Sequence, residues 1–353
     1  MKKALVLLMS ILFVFSFSVS VFALHETKDL EYSPGAEPSK GIPAKKAKPA
    51  LAKRIYVTNA GNNTVSVIDT AKKEIVSTIR VGVWPANIAI DSVAGRAYVT
   101  NSNKGESSVS VIDIKSNSVV ATIKVGDGPM HIALNPSTKT AYVTNAEDEN
   151  QIISIIDLTK NTVKGKIKVG VGPFDLGIIN KKLYVTNAGE NTVSVIDITD
   201  NKVIDTIKVA AIPVGMAVDP VNQRVYLANH GDNAVTVIDA TNNKIVETVK
   251  VGNKPWSVAF DPDHKRVYTT NRYGDSVSVI DTTSNKVVET IKVGKEPIGV
   301  AVDPAKKRVY VANHADITIS IIDTASNKVV DTIKLTLTPD SPYAGSPWGI
   351  AVN

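Results

Sequence analysis

Seven tyrosines recur along the chain, Tyr56, Tyr98, Tyr142, Tyr184, Tyr226, Tyr268 and Tyr310, at spacings of 42, 44, 42, 42, 42 and 42 residues. Each has Thr or Ala as its second neighbour and Asn as its third. A period of this size over most of a chain means one supersecondary unit copied many times. It overrides the prior set by a length of 353 residues, which alone would suggest two ordinary domains.

Within one copy four short runs, Ile298–Asp303, Arg308–Ala312, Thr318–Asp323 and Lys328–Leu335, are dominated by Val, Ile, Thr and Tyr. Pro, Gly, Asn and Asp separate them, so the unit reads as four strands joined by tight turns. The first copy begins at its second strand, Arg54–Asn59, and the chain ends on a lone first strand, Pro347–Asn353. The two fragments complete one unit. Each first strand opens on a proline, and Pro85, Pro129, Pro173, Pro213, Pro255, Pro297 and Pro347 count seven units with no orphan strand. The expected fold is therefore all-β: a seven-bladed β-propeller of four antiparallel strands per blade, closed by the C-terminal strand joining the N-terminal blade. An open solenoid would need capping repeats instead. The outermost strands carry Arg80, Lys124, Lys168, Lys208, Lys250, Lys292 and Lys334 at one recurring place, read first as protection of a free edge against strand pairing and second as a ring that recruits anionic polymers.

Ahead of the repeats, residues 1–23 hold Lys2 and Lys3, an apolar run from Ala4 to Phe22, and Val21 and Ala23 where signal peptidase prefers them. Cleavage before Leu24 is expected, a retained membrane anchor being the competing reading, and leaves no transmembrane segment. The protein is then exported: periplasmic, secreted or associated with the cell surface. Residues 24–52, with Pro34, Pro38, Pro43 and Pro49, read as a flexible linker, and residues 53–353 as the propeller. Absence of cysteine excludes a lipid-anchored N-terminus and disulfide bracing. The formal charge is +6, but Lys2 and Lys3 belong to the leader and Lys40, Lys45, Lys46, Lys48 and Lys53 precede the first repeat. The globular part is near balance, so the charge is weak support for a nucleic-acid partner.

The runs Tyr56-Val57-Thr58-Asn59, Tyr98-Val99-Thr100-Asn101, Tyr142-Val143-Thr144-Asn145 and Tyr184-Val185-Thr186-Asn187, each followed by a strand ending in Ile-Asp, resemble the YVTN-family β-propeller repeat. The likeness covers residues 53–353. It implies a relative of archaeal surface-layer propellers and of bacterial exported proteins of that group. The broader class includes binding proteins, a single-stranded-DNA-binding representative and more distant lactonase-type enzymes, so the resemblance implies the fold and leaves the chemistry open.

Strand order places the loop after each recurring Asn and the link to the next blade on one face. That loop varies most: Ala60, Ser102, Ala146, Ala188, His230, Arg272 and His314 follow the Asn. Variation on a repeated scaffold is where function usually sits. Two residues after each opening Pro the series is Asn87, His131, Asp175, Gly215, Ser257, Gly299 and Gly349, expected at the channel mouth on the same face. His131 and Asp175 are the candidates for a catalytic acid/base pair, and with Glu106, Glu147, Asp148 and Glu149 from lengthened loops they are candidates for a hard-cation site. The competing reading makes them solvated loop acids and a channel-lining His bonded to water. Trp84 is expected to be an exposed ring, whereas Trp256, Trp348 and Phe174 read as core between blades. The recurring Asn residues and the Asp residues that end each third strand read as Asx-turn formers. A longer final link brings Tyr343 to the closure point. On the opposite face Arg96, Arg224, Arg266 and Arg308 alternate with Asp91, Asp219, Asp261 and Asp303, and local ion pairs among them are expected.

Trp84, Asn87, His131, Asp175, His230, Ser257, Arg272, His314 and Tyr343 are thus the candidates for a binding face. The first reading is a non-catalytic binding or cell-surface scaffold, a monomer whose partner is a protein, a polysaccharide or another envelope ligand. A lactonase- or lyase-like enzyme using His131 and Asp175 is the second. Single-stranded nucleic-acid binding through Trp84, Arg272, His230 and His314 is the third. No haem, quinone or nucleotide motif is recognisable, and no cofactor is expected.

Overall fold

The computed structural model describes residues 54–335 and 346–353. The expected leader and linker, Lys53 and the inserted segment with Tyr343 lie outside the described residues. Twenty-eight strands form seven four-stranded antiparallel sheets, arranged as the blades of a propeller. Blade 1 is completed by the C-terminus: Pro347–Val352 pairs with Arg54–Asn59, Tyr56 facing Ala351 and Val57 facing Ile350. The following blades open on Pro85 (blade 2), Pro129, Pro173, Pro213, Pro255 and Pro297 (blade 7).

Burial falls from the axis outward and explains the composition of each strand. The inner strand Pro255–Asp261 is buried along its whole length, whereas the outer strand Lys244–Lys250 buries only Val249. Every outer strand also carries a register shift against its neighbour, which together with the terminal cation blunts the edge. The tyrosine that defines the period lies between blades. Tyr184 is fully buried and its hydroxyl donates to Asn243 Oδ1 of the next hairpin at 2.7 Å, so one side chain supplies packing area and satisfies its own polar tip.

Each complete inner strand bulges just after its proline. In blade 2 the register jumps from Pro85↔Asn101 to Ile88↔Val99, leaving Ala86 and Asn87 opposite Thr100. The Thr of the repeat holds this bulge: Thr100 Oγ1 accepts from Asn87 N at 2.9 Å and donates to Met130 O of the next blade at 2.7 Å. Thr144, Thr186 and Thr270 do the same in blades 3, 4 and 6. Thr58 makes the equivalent bonds across the closure, to Gly349 N and Ala86 O. This hydroxyl thus fastens one blade to the next, a role the residue pattern did not disclose.

The two recurring polar residues differ in what they do. The Asp residues form the expected turns: Asp69 Oδ1 accepts from Ala71 N and Lys72 N, and Asp281 Oδ1 from Thr283 N and Ser284 N. The Asn residues do not. They are extended strand residues whose Nδ2 donates across to hydroxyls of the third strand, as Asn59 does to Thr64 and Ser66 and Asn271 to Ser276 and Ser278.

Main-chain and side-chain hydrogen bonds, with nearby cations, hold Asp69, Asp113, Asp157, Asp197, Asp239, Asp281 and Asp323 below their ordinary 3.8, Asp239 down to about 2. A carboxylate lowered in the folded state stabilises it above the unfolded value and loses that contribution as pH falls through the folded one. Urea midpoints are therefore expected to stay level from neutrality to about pH 5 and to drop steeply between about pH 4 and 2. An unchanged midpoint at pH 2.5 would contradict this role for the turn carboxylates.

Three of the four arginines on the opposite face also pair with these turn aspartates, not with the acids that alternate with them along the chain, while Arg266 donates to Thr324 O and Asn327 Oδ1. Arg224 reaches Asp239 at 2.6 Å and Arg308 reaches Asp323 at 2.5 Å, while Arg96 pairs with Asp113. The expected partners Asp91, Asp219 and Asp303 instead accept from main-chain N–H groups of their own hairpins, as Asp219 does from Val221 and Asn222.

Candidate functional site

The link before each opening Pro and the residue after each repeat Asn do share one face, because they bond to each other. Ser102 N donates to Trp84 O, His230 N to Ile212 O, Arg272 N to Lys254 O and His314 N to Glu296 O. The link residue has a left-handed backbone in blades 2 to 7, with φ of 56° at Trp84, 53° at Ile212, 54° at Lys254 and 48° at Glu296. Gly128 and Gly172 take the same place in blades 3 and 4, where that conformation is free of strain.

Beneath this face lies a polar layer on the inner strands. Asn87, His131, Asp175 and Ser257 are all buried, at no more than 1% exposure. The expectation that they stand open at a channel mouth is therefore corrected. The reason is the residue between each of them and its proline: Ala86, Met130, Phe174 and Trp256 are themselves buried, and Phe174 of blade 4 meets Trp256 of blade 6 edge to face at 6.0 Å, bridging over blade 5.

His131 and Asp175 do come together, with Nδ1 2.5 Å from Oδ1. The same carboxylate accepts from Leu176 N at 2.6 Å and from Met216 N at 2.7 Å, so it joins the inner strands of blades 3, 4 and 5. Burial pulls the His131 imidazole below its ordinary value against the upward pull of Asp175. The reading of His131 as a channel-lining group bonded to water is replaced by a carboxylate clasp. The loop acids stay apart from it. Glu149 and Glu106 are exposed, Asp148 Oδ1 accepts from Asn150 N, and partial burial raises the carboxyl of Glu147. Among the described residues no three His, Asp or Glu side chains are placed to hold a metal ion.

His230, Arg272 and His314 form one continuous group with the tryptophans, and most of it is packed rather than presented. His230 stacks edge to face on Trp256 at 5.0 Å, and Trp348 Nε1 donates to His314 Nδ1 at 2.7 Å. Burial lowers both imidazoles to about 4, helped by nearby cations, so both are neutral near pH 7. The expectation of exposed His230 and Arg272 side chains is corrected: they are 9% and 4% exposed, and His314 is half-buried.

The physical reason is room for a large ring. Ahead of each Trp, blades 5 and 7 replace the fastening Thr by Ala228 and Ala312 and use glycine in the bulge. A Cβ on Gly215 would lie 2.2 Å from Trp256 O, and one on Gly299 2.2 Å from Trp348 O, so any side chain would collide with main chain. Sequence reasoning missed this role of the two glycines. The signal was the coincidence of Ala, Gly, His and Trp exceptions in the same two joints.

Arg272 lies between these twin joints. Its Cζ stands 5.4 Å from the Trp256 ring and 4.8 Å from the Tyr273 ring, and its Nη2 meets Glu296 Oε2 at 2.8 Å. Exposed aromatic surface remains at both ends of the group. Tyr273 is 53% exposed, and Trp84, touching Trp348 edge to face at 5.7 Å, is 37% exposed as the sequence led one to expect. Tyr273 had no signal in the repeat columns, because it sits one place beyond the position compared.

Comparison with known proteins gives the same architecture. The family model described as YNCE-like beta-propeller matches residues 48–306. Hydrazine synthase of Kuenenia stuttgartiensis is 22% identical with a TM-score of 0.69, over 77% of this chain and 92% of that one. A functionally unknown protein from Desulfotomaculum acetoxidans is 17% identical with a TM-score of 0.72, over 85% and 98%. A putative 6-phosphogluconolactonase of Bacteroides fragilis is 16% identical with a TM-score of 0.70, over 88% and 99%. No curated protein matches the sequence. At these identities the solved structures establish the fold alone, whereas the family model spans most of the repeats: this chain belongs to the YNCE-like beta-propeller family.

Proposed function

We propose that the protein is a non-catalytic binding propeller that takes its ligand on the face of the links, along the row from Tyr273 to Trp84. One observation carries this reading. The paired imidazole and carboxylate of the polar layer, His131 and Asp175, are buried and engaged in joining three blades, while Trp84 and Tyr273 offer solvent-exposed rings. Exposed aromatics beside polar groups are the usual anchors of a recognition surface. The leader over residues 1–23 supports placing this binding outside the cytoplasm, at the periplasm or cell surface.

The test has two arms. Immobilised protein is expected to retain material from an extract of envelope polysaccharide, and the Trp84→Ala variant to retain much less. Lactone and ester substrates are expected to show no turnover above background. Turnover that His131→Gln abolishes without lowering the melting temperature would overturn the reading in favour of an enzyme.

A further inference from the structure

The row from Tyr273 to Trp84 has a chemistry that selects among ligands, and the ligand class it selects rests on the binding reading above. Its ends are rings with exposed surface, and between them Arg272 pairs with Glu296, Glu296 O accepts from His314 N, and His314 Nδ1 accepts from Trp348 Nε1. The guanidinium of Arg272 is taken up by two rings and a carboxylate. The other charges of these links also balance. Lys254 and Lys295 bring two cations, and the neighbouring loops bring Asp275, which accepts from Glu296 N at 2.9 Å, and Asp316, which accepts from Lys295 N at 2.7 Å. With Arg272 and Glu296 that makes three cations and three anions, so a polyanion would find no net attraction there.

A ligand matched to this row carries hydroxyls for Glu296 and the neutral His314, apolar C–H faces for the two rings, and no charge. We propose that the row binds a neutral glycan chain, with pyranose rings stacked on Trp84 and Tyr273 and hydroxyl groups hydrogen-bonded to Glu296 between them. Trp84 adopts φ of 56° directly before Pro85, a left-handed conformation that Ile212, Lys254 and Glu296 share at the same place and that Gly128 and Gly172 adopt without strain. Replacing it by glycine removes the ring and the strain together.

Calorimetric titration with maltohexaose, cellohexaose and chitohexaose tests the proposal, with an oligothymidylate as the polyanion control. At least one neutral hexasaccharide is expected to bind with little dependence on salt. Trp84→Gly and Tyr273→Ala are each expected to weaken that binding about tenfold or more, the scale of truncating an aromatic anchor. Trp84→Gly should leave the melting temperature unchanged or raised, which separates loss of binding from loss of fold. Failure of all three sugars to bind the wild type overturns the glycan assignment, as does binding that survives both substitutions. If the oligothymidylate binds instead and Trp84→Gly abolishes it, the glycan assignment falls and the binding face stands with a different ligand. If nothing binds and a lactone is turned over, the binding reading itself falls.

Discussion

A chain ending at residue 346 is expected to lose its cooperative thermal transition altogether. The missing strand supplies Trp348 and Ile350, buried at 3% and 0%, and its removal uncovers Ile55 and Val57 of the same blade. Burying a side chain of this size stabilises by roughly 1.5–3 kcal/mol, so the four together represent roughly 6–12 kcal/mol. That rivals the whole stability of an ordinary domain, about 5–15 kcal/mol. The strand also packs against the inner strands of both flanking blades, Pro297–Asp303 and Pro85–Asp91, so its loss opens two joints. Circular dichroism melting of the truncated chain should show a broad, low transition. A synthetic peptide of residues 347–353 at high concentration should sharpen it, and a sharp melt at the wild-type temperature would show that the ring does not depend on its last strand.

Asp175→Ala is expected to be the most damaging single substitution in the polar layer. It strips the acceptor from Leu176 N, Met216 N and His131 Nδ1 at a place of 1% exposure. Each buried donor left unsatisfied costs about 1–3 kcal/mol, and breaking a buried pair from one side costs about 3–5 kcal/mol. A loss of about 3–5 kcal/mol in urea unfolding is the expected result. Asp175→Asn keeps the shape and one acceptor but turns its amide nitrogen toward a former donor, and should lose less than Asp175→Ala. Equal stability of Asp175→Ala and the wild type would mean that the clasp does not hold the blades.

These residues also mark how far the sequence was legible. Blade number, strand order, closure and the aspartate turns were all readable, because each is a property of one column of the repeat. Exposure of Trp84 was readable for the same reason: apart from Ile212, its neighbours in the column are small or polar. What stayed hidden are relations between columns. Thr100 bonds a carbonyl 30 residues away, Arg272 a carboxylate 24 away, and Trp348 an imidazole 34 away. Read one column at a time, His230 and Arg272 look like variable loop residues, although His230 is the partner of a large ring in the adjoining blade and Arg272 of two rings in its own. His131 and Asp175 were rightly seen as neighbours, but nothing in their own column revealed the aromatic layer above them.

The staggered closure bears on how such a chain can be inherited. Because each sequence copy starts at a second strand and ends on the first strand of the next blade, one copied stretch carries Ala228, His230 and Trp256 together, and another carries Ala312, His314 and Trp348. A duplication made in the chain's own phase therefore transmits both sides of a joint, whereas one made in the phase of the blade would part each tryptophan from its imidazole. Only Gly215 and Gly299 are left to be matched afterwards, each by a change at a single codon. The offset that locks the ring also lets its members multiply already fitted to their neighbours.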